Sequence, residues 1–361
     1  MTVPFGHTAV RPEWLALRTE TPLAPTIPIV DPHHHLFDHP DWRYLTAELT
    51  ADLAQVPGLV ATVFVECHEH YRRDGPVPYR PVGETEFVMD FAEKLAMRER
   101  LPRVAAGIVG HVDLTTGRAV AEVLAEHIAA AGGRFRGIRQ RIAWDPDPAV
   151  THPRQQPPLG LYGSRAFRRG FAELARLGLI FDTWCYHPQI PEVTELARAF
   201  PDTVIVLDHF GGPLGVGRYA RTPSEVFTRW RAAMNELARC ENVYVKLGGL
   251  GMRSIGHHLD EASVPPGSQR LATIMRPWVV TTLELFGANR CMFESNFPID
   301  KASYGYGTFW NACKRLTADA GVTERSALFA GTASRVYRIT IDEHATPPPH
   351  QPSCMNRTPP R

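Results

Sequence analysis

Two histidines separated by a single residue, His33 and His35, stand at the end of the apolar run Ile27–Asp31. On extended backbone, residues two apart share a face, so both imidazoles can turn toward one metal ion. Further donors occupy similar places: Glu66 ends Val60–Glu66, His187 follows Leu179–Trp184, Asp208-His209 ends Thr203–Asp208, and Glu294-Ser295-Asn296 follows Arg290–Phe293. A histidine or glutamate alone at such a place is ordinarily a hydrogen-bonded or solvated residue. The pattern Asp-x-His-x-His is a stronger signal, because two imidazoles on one face of a strand have no packing reason to be there. The expected metal ligands are His33, His35, Glu66, His187, His209 and Glu294, with Glu294, Asn296 and His187 as the catalytic groups. His34 should point to the opposite face and be structural, and His68, His70 and His111 should lie at the margin of the site or on the surface.

Those donors acquire a common location only if the runs before them are the strands of one sheet. Eight short apolar runs can be counted: the five above together with Val104–Val109, Phe135–Ile142 and Val243–Leu247. Most are β-branched and apolar on both faces, as strands buried in a parallel sheet are. Helix-like stretches such as Glu84–Arg100, Thr116–Ala131 and Ser164–Leu177 separate them. Eight alternations of strand and helix predict a single-domain α/β fold, a distorted (β/α)8 TIM barrel, whose active site gathers at the C-terminal strand ends. A doubly wound open sheet competes, but its first turn should be a glycine-rich phosphate loop, and here that turn is Asp31-Pro32-His33-His34-His35. Gly248, Gly249 and Gly251, after the seventh run, match no nucleotide fingerprint.

Residues 1–26, with Pro4, Pro12, Pro22 and Pro25, show neither period and read as an arm outside a catalytic domain spanning 27–342. Residues 343–361 contain Pro347-Pro348-Pro349 and read as a disordered tail. The formal net charge of +1 and the scatter of Lys and Arg argue against nucleic acid and membrane partners. No apolar stretch approaches the roughly 18–20 residues that span a bilayer, and no secretory signal is evident. Six widely spaced cysteines without a Cys-x-x-Cys pair suit reduced thiols, so a cytoplasmic protein is expected. No helix face demands a partner copy, and homo-oligomerisation is left open.

Arginine forks bind carboxylate or phosphate bidentately, and Arg136, Arg139 and Arg141 fall on or beside the fourth run, with Arg72, Arg73 and Arg80 after the second. A small anionic substrate is expected, with Arg139, Arg141, Arg72 and Lys301 as its contacts. Lys301, Tyr304 and Tyr306, after the eighth run, are placed to form a lid.

Four segments carry a family resemblance: Ile29-Val30-Asp31-Pro32-His33-His34-His35-Leu36, Phe135-Arg136-Gly137-Ile138-Arg139, Leu207-Asp208-His209-Phe210-Gly211-Gly212-Pro213 and Arg290-Cys291-Met292-Phe293-Glu294-Ser295-Asn296-Phe297-Pro298. Together they resemble the signatures of the amidohydrolase-2 family, which includes lactonases and decarboxylases, and the likeness spans about residues 27 to 340. It implies a distorted TIM barrel with His33, His35 and His209 in the site. One departure matters: lactonases of that family end the eighth strand with an Asp in a Gly-Ser-Asp-Trp-Pro-like segment, and Asn296 stands at that place here. An amide accepts no proton at neutral pH, so Asn296 cannot be that base. Glu294, two residues earlier, should share its face.

Four imidazoles and two carboxylates exceed the three protein ligands of a catalytic zinc. They suggest two divalent ions, iron first, with manganese or zinc as alternatives, and open positions on such ions suit dioxygen. The pattern is similar to a small dinuclear non-heme oxygenase branch of the superfamily, including a di-iron hydroxylase of terpenoid biosynthesis. The leading expectation is therefore a di-iron monooxygenase that hydroxylates an organic acid using dioxygen. A metal-dependent hydrolase of a lactone, ester or amide is the alternative. A third reading is a non-catalytic partner subunit.

Overall fold

Each of the eight apolar runs forms a strand in the computed structural model, which describes residues 8–39, 42–98, 101–150 and 157–341. In chain order these are β1 (Ile29–His34), β2 (Leu59–Val65), β3 (Arg103–Gly110), β4 (Phe135–Arg139), β5 (Ile180–Thr183), β6 (Ile205–Leu207), β7 (Val243–Leu247) and β8 (Cys291–Phe293). They pair in parallel in that same order within one eight-stranded sheet. Parallel neighbours need a crossover, and each is a helix or contains one: α1 (Thr46–Leu53), α2 (Val82–Ala96), α3 (Val120–Ala130), α4 (Arg165–Arg176), α5 (Ile190–Ala199), α6 (Pro223–Leu237) and α7 (Ser268–Phe286), with α8 (Tyr306–Leu316) after β8. This is the expected (β/α)8 barrel. α3 begins later than its sequence period suggests because Gly117, at φ 65°, interrupts the preceding turn.

β1 and β8 close the barrel through their C-terminal extensions. His35 N–H donates to the Phe297 carbonyl at 2.8 Å and Asn296 N–H to the His33 carbonyl at 3.1 Å. The buried Asp31 carboxylate completes the seam, accepting from Ser295 N–H at 3.0 Å, Ser295 Oγ at 2.6 Å and Tyr306 OH at 2.8 Å. Here the barrel is distorted, and the distortion turns the segment after β8 toward the histidines of β1.

Inside, the strands stack two layers of different character. The lower layer is apolar, with Val30, Val63, Ile180, Val206 and Met292, and Ala333, Val336 and Tyr337 from the C-terminal segment plug it from below. Two residues further along, the inward positions turn charged: Ile180 gives way to Asp182, Val206 to Asp208, Tyr244 to Lys246 and Met292 to Glu294. All four charged groups are fully buried.

Before the barrel, the arm is held against it by Trp14 Nε1 donating to the Ala262 carbonyl at 2.8 Å and Leu23 N–H to Asn311 Oδ1 at 2.8 Å. It carries a short helix, Pro12–Ala16, that sequence period did not indicate. The proline-rich tail, 343–361, lies outside the described residues, as does Cys354; Cys67, Cys185, Cys240, Cys291 and Cys313 are free thiols. Among the described residues no helix is long and apolar enough to cross a membrane.

Candidate metal centre

His33, Asp208 and His209 each present a ligand atom within 4.8 Å of the other two, and all three are buried. His35 joins them from β1, its Nε2 lying 3.2 Å from His33 Nε2, as the two-residue spacing requires. His35 Nδ1 lies 2.7 Å from the Val65 carbonyl; donation there fixes the tautomer and leaves Nε2 as the free lone pair. Burial drives both His33 and His35 well below the ordinary histidine pKa, so they are neutral and able to ligate. His34 points the other way, to Thr62 Oγ1 at 2.9 Å and against Phe64.

Glu294 reaches both imidazoles. Its Oε1 accepts from His209 Nδ1 at 2.7 Å and His209 N–H at 3.0 Å, while Oε2 lies 2.8 Å from His33 Nδ1. Burial alone would raise its pKa, but the two histidines outweigh that and bring it down to about 2. This places Glu294 on the Nδ1 side of both rings, where a carboxylate sets ring orientation and tautomer. Room for the contact comes from two glycines after β7. A Cβ on Gly248 would lie 2.1 Å from the Glu294 carbonyl, and one on Gly249, at φ +75°, would lie 2.6 Å from the His209 ring.

Asn296 follows at φ 56°, and its Nδ2 donates to Asp300 Oδ1 at 2.9 Å. Asp300 also accepts from Gly251 N–H at 3.0 Å and from Tyr304 OH. The amide therefore ties the turn after β8 together, and the Tyr306 hydroxyl belongs to Asp31. Both tyrosine side chains are buried and bonded into the barrel top, which corrects the expectation of a lid at Tyr304 and Tyr306.

The other expected residues divide into two groups. Arg139 enters the centre: Nη1 lies 3.3 Å from His33 Nε2 and 3.5 Å from Asp208 Oδ2, while Nε donates to Glu66 Oε1 at 2.8 Å. Glu66 is thereby the ion-pair partner of Arg139, with His68 3.6 Å from its other oxygen and Arg141 Nη2 3.3 Å from His68 Nε2. His187 stands apart. Its Nδ1 accepts from Leu214 N–H at 3.3 Å, and it lines a separate cavity of about 560 Å3 with Tyr219, Arg218, Glu225 and Arg229. Arg72 pairs with Glu86 on an exposed helix face, and Lys301 with Asp52 at 2.6 Å. The structure does not bring His187, Arg72 or Lys301 to the cluster, and His70 stacks on Phe87 away from it.

Sequence reasoning passed over Asp182 and Lys246. Lys246 Nζ sits 2.6 Å from Asp182 Oδ2 and 3.0 Å from both Asp208 Oδ1 and His33 Nδ1. The available signal was a lone charge inside each of two otherwise apolar strands, which a buried strand carries only if the charge is paired.

The cluster suits a divalent cation. Asp208 is fully buried, neither of its oxygens accepts a hydrogen bond, and it is held by ion pairs with Lys246 at 3.0 Å and Arg139 at 3.5 Å, beside two histidine rings. Around His33, Arg139 pairs with Glu66 and Asp208 and Lys246 with Asp182 and Asp208, while Glu294 pairs with His33 and His209.

A parallel eight-stranded barrel with buried histidines and carboxylates converging at its C-terminal strand ends has the architecture of a metal-dependent barrel enzyme. The amidohydrolase family profile matches residues 30–339, and the chain belongs to that family. It is similar to uncharacterized protein y4mH of Sinorhizobium fredii, 34% identical over 335 residues that cover 87% of this chain and 99% of that protein. It is also similar to the L-fucono-1,5-lactonase of Burkholderia ambifaria, 29% identical over 276 residues, covering 73% of this chain and 79% of that one. Among solved structures, an amidohydrolase from Burkholderia multivorans with bound HEPES is 25% identical at a TM-score of 0.65, covering 87% of this chain and 100% of that one.

Proposed function

We propose that the chain hydrolyses a small lactone, using a divalent metal ion held by His33, Asp208 and His209 with His35 beside them. The observation that carries this reading is the buried cluster itself, in which Asp208, His33 and His209 each bring a ligand atom within 4.8 Å of the other two. The lactone is suggested by the L-fucono-1,5-lactonases among the relatives. When bound, the ion would polarise the ester carbonyl and make water a better nucleophile.

The chain's own groups do the rest. Glu294 takes the Nδ1 protons of His33 and His209 and leaves each Nε2 free, the usual service of a carboxylate behind a ligating histidine. Arg139 is held by Glu66 with Nη1 facing the cluster, placed to bind a carbonyl or carboxylate oxygen of the substrate. Asn296 takes no proton, since its amide is bonded to Asp300. Asp208 is the carboxylate left to accept one. In the net reaction water adds to the carbonyl carbon, the ring C–O bond breaks, and the proton ends on the departing alkoxide, giving a hydroxy acid.

This reading replaces the di-iron monooxygenase expected from the sequence. That expectation needed six donors on one rim, and here Glu66 is paired with Arg139 while His187 lines another cavity. The named activity among the curated relatives is also hydrolytic. The test is acid release from a panel of sugar-acid lactones, including L-fucono-1,5-lactone, in air and under nitrogen. Equal turnover in both is expected. No turnover of any lactone, with dioxygen consumed by the iron-loaded protein in the presence of an organic acid, would restore the oxygenase.

Glu294→Gln keeps the size of the side chain and removes its charge. The variant is expected to bind Zn2+ about 10- to 100-fold more weakly, the usual effect of losing a carboxylate behind ligating histidines, as measured by competition with a chromophoric chelator. Unchanged affinity would remove Glu294 from that role.

A further inference from the structure

Lys246 has no part in the hydrolysis described above, yet it is fully buried within the charged layer. Its ammonium is completely buried, 2.6 Å from Asp182 Oδ2, 3.0 Å from Asp208 Oδ1 and 3.0 Å from His33 Nδ1. Tyr337, from the C-terminal plug, donates its hydroxyl to the same Asp182 oxygen at 2.9 Å and fixes it from below. Two facing carboxylates are donors that a divalent ion can share. In this centre an ammonium already holds them.

Asp182 and Asp208 both face the ammonium, at 2.6 and 3.0 Å, so a second divalent ion at these oxygens would have to displace it or lie uncompensated against its charge.

We infer that Lys246 is a built-in second cation, occupying the donors that a second metal ion would use, so that the chain binds one divalent ion and not two. The inference rests on reading His33, Asp208 and His209 as a metal centre, and metal stoichiometry separates the two. Wild-type protein loaded with excess Zn2+ and passed through gel filtration is expected to retain one equivalent per chain by elemental analysis. Two equivalents would overturn the inference and leave the centre standing, whereas none would overturn both.

Lys246→Met keeps the length of the side chain without its charge and vacates Asp182 and Asp208. Its zinc content is expected to rise from one to two per chain, and to return to one when Asp182→Asn is added. A folded Lys246→Met protein that still holds one ion would show that these donors do not take a metal. If Lys246→Met does not fold, the wild-type stoichiometry decides alone.

Discussion

Asp208→Asn protein is expected to fold, to retain little divalent metal after dialysis, and to hydrolyse its lactone about 10^3-fold more slowly than wild type, the upper range for losing one electrostatic group at a reacting centre. The substitution is nearly isosteric, so packing around β6 is preserved. It removes the one carboxylate of the cluster whose two oxygens accept no hydrogen bond. Neither neighbouring cation is stranded: Lys246 keeps Asp182 at 2.6 Å, and Arg139 keeps Glu66 at 2.8 Å. The large stability loss that follows from leaving a buried charge alone is therefore avoided, and the defect should appear in metal content and rate. Elemental analysis, initial rates and a circular dichroism spectrum on the same preparation check all three. Wild-type metal content and rate in a folded Asp208→Asn protein would sink the proposed centre.

The barrel was readable in the sequence because its strands are buried on both faces and so appear as uninterrupted apolar runs with helical stretches between them. Strand boundaries moved where an irregular element intervened. β1 runs on to His34 because its polar end still pairs with β2, His34 opposite Phe64, and a run defined by apolarity stops before that. His33, His35 and His209 were readable for a related reason, as polar residues closing strands whose C-terminal ends must converge.

The remainder of the site depends on contacts that strand order alone does not give. Glu66 and Arg139 are 73 residues apart, and only the barrel's curvature reveals that each is the other's counterion. His187 looked equivalent to His209, but β5 ends at Thr183 and Trp184–Tyr186 intervene before the histidine, whose N–H donates to the Gly212 carbonyl at 3.0 Å. Counting donors by their place in the sequence put six on one rim, whereas here Glu66 pairs with Arg139, His187 lines another cavity and Glu294 lies behind His33 and His209, and the dinuclear oxygenase rested on that count. Asp182 and Lys246 erred in the opposite direction: each is one charge in a short apolar strand, and neither is intelligible without the other.

Asp31→Ala is expected to destabilise the metal-free protein by about 3–5 kcal/mol, from several buried donors losing their acceptor at about 1–3 kcal/mol each with partial relaxation. Tm should fall by about 10 °C, at about 2–4 °C per kcal/mol for a domain of this general size. The donors are Ser295 N–H, Ser295 Oγ and Tyr306 OH, with His33 N–H more distant at 3.3 Å. They come from β1, the segment after β8 and α8, so one carboxylate joins the first strand to the last where the backbone ladder is thinnest. Asp31→Asn retains one acceptor oxygen and should lose less than half as much. Working without metal keeps the measurement independent of any role of His33 in binding an ion. If Asp31→Ala leaves Tm unchanged, the seam is held by the backbone bonds from His35 to Phe297 and from Asn296 to His33. If Tm falls as expected, the residue that opens the Asp-x-His-x-His motif is what closes the barrel, and the motif joins closure and metal binding in a single turn.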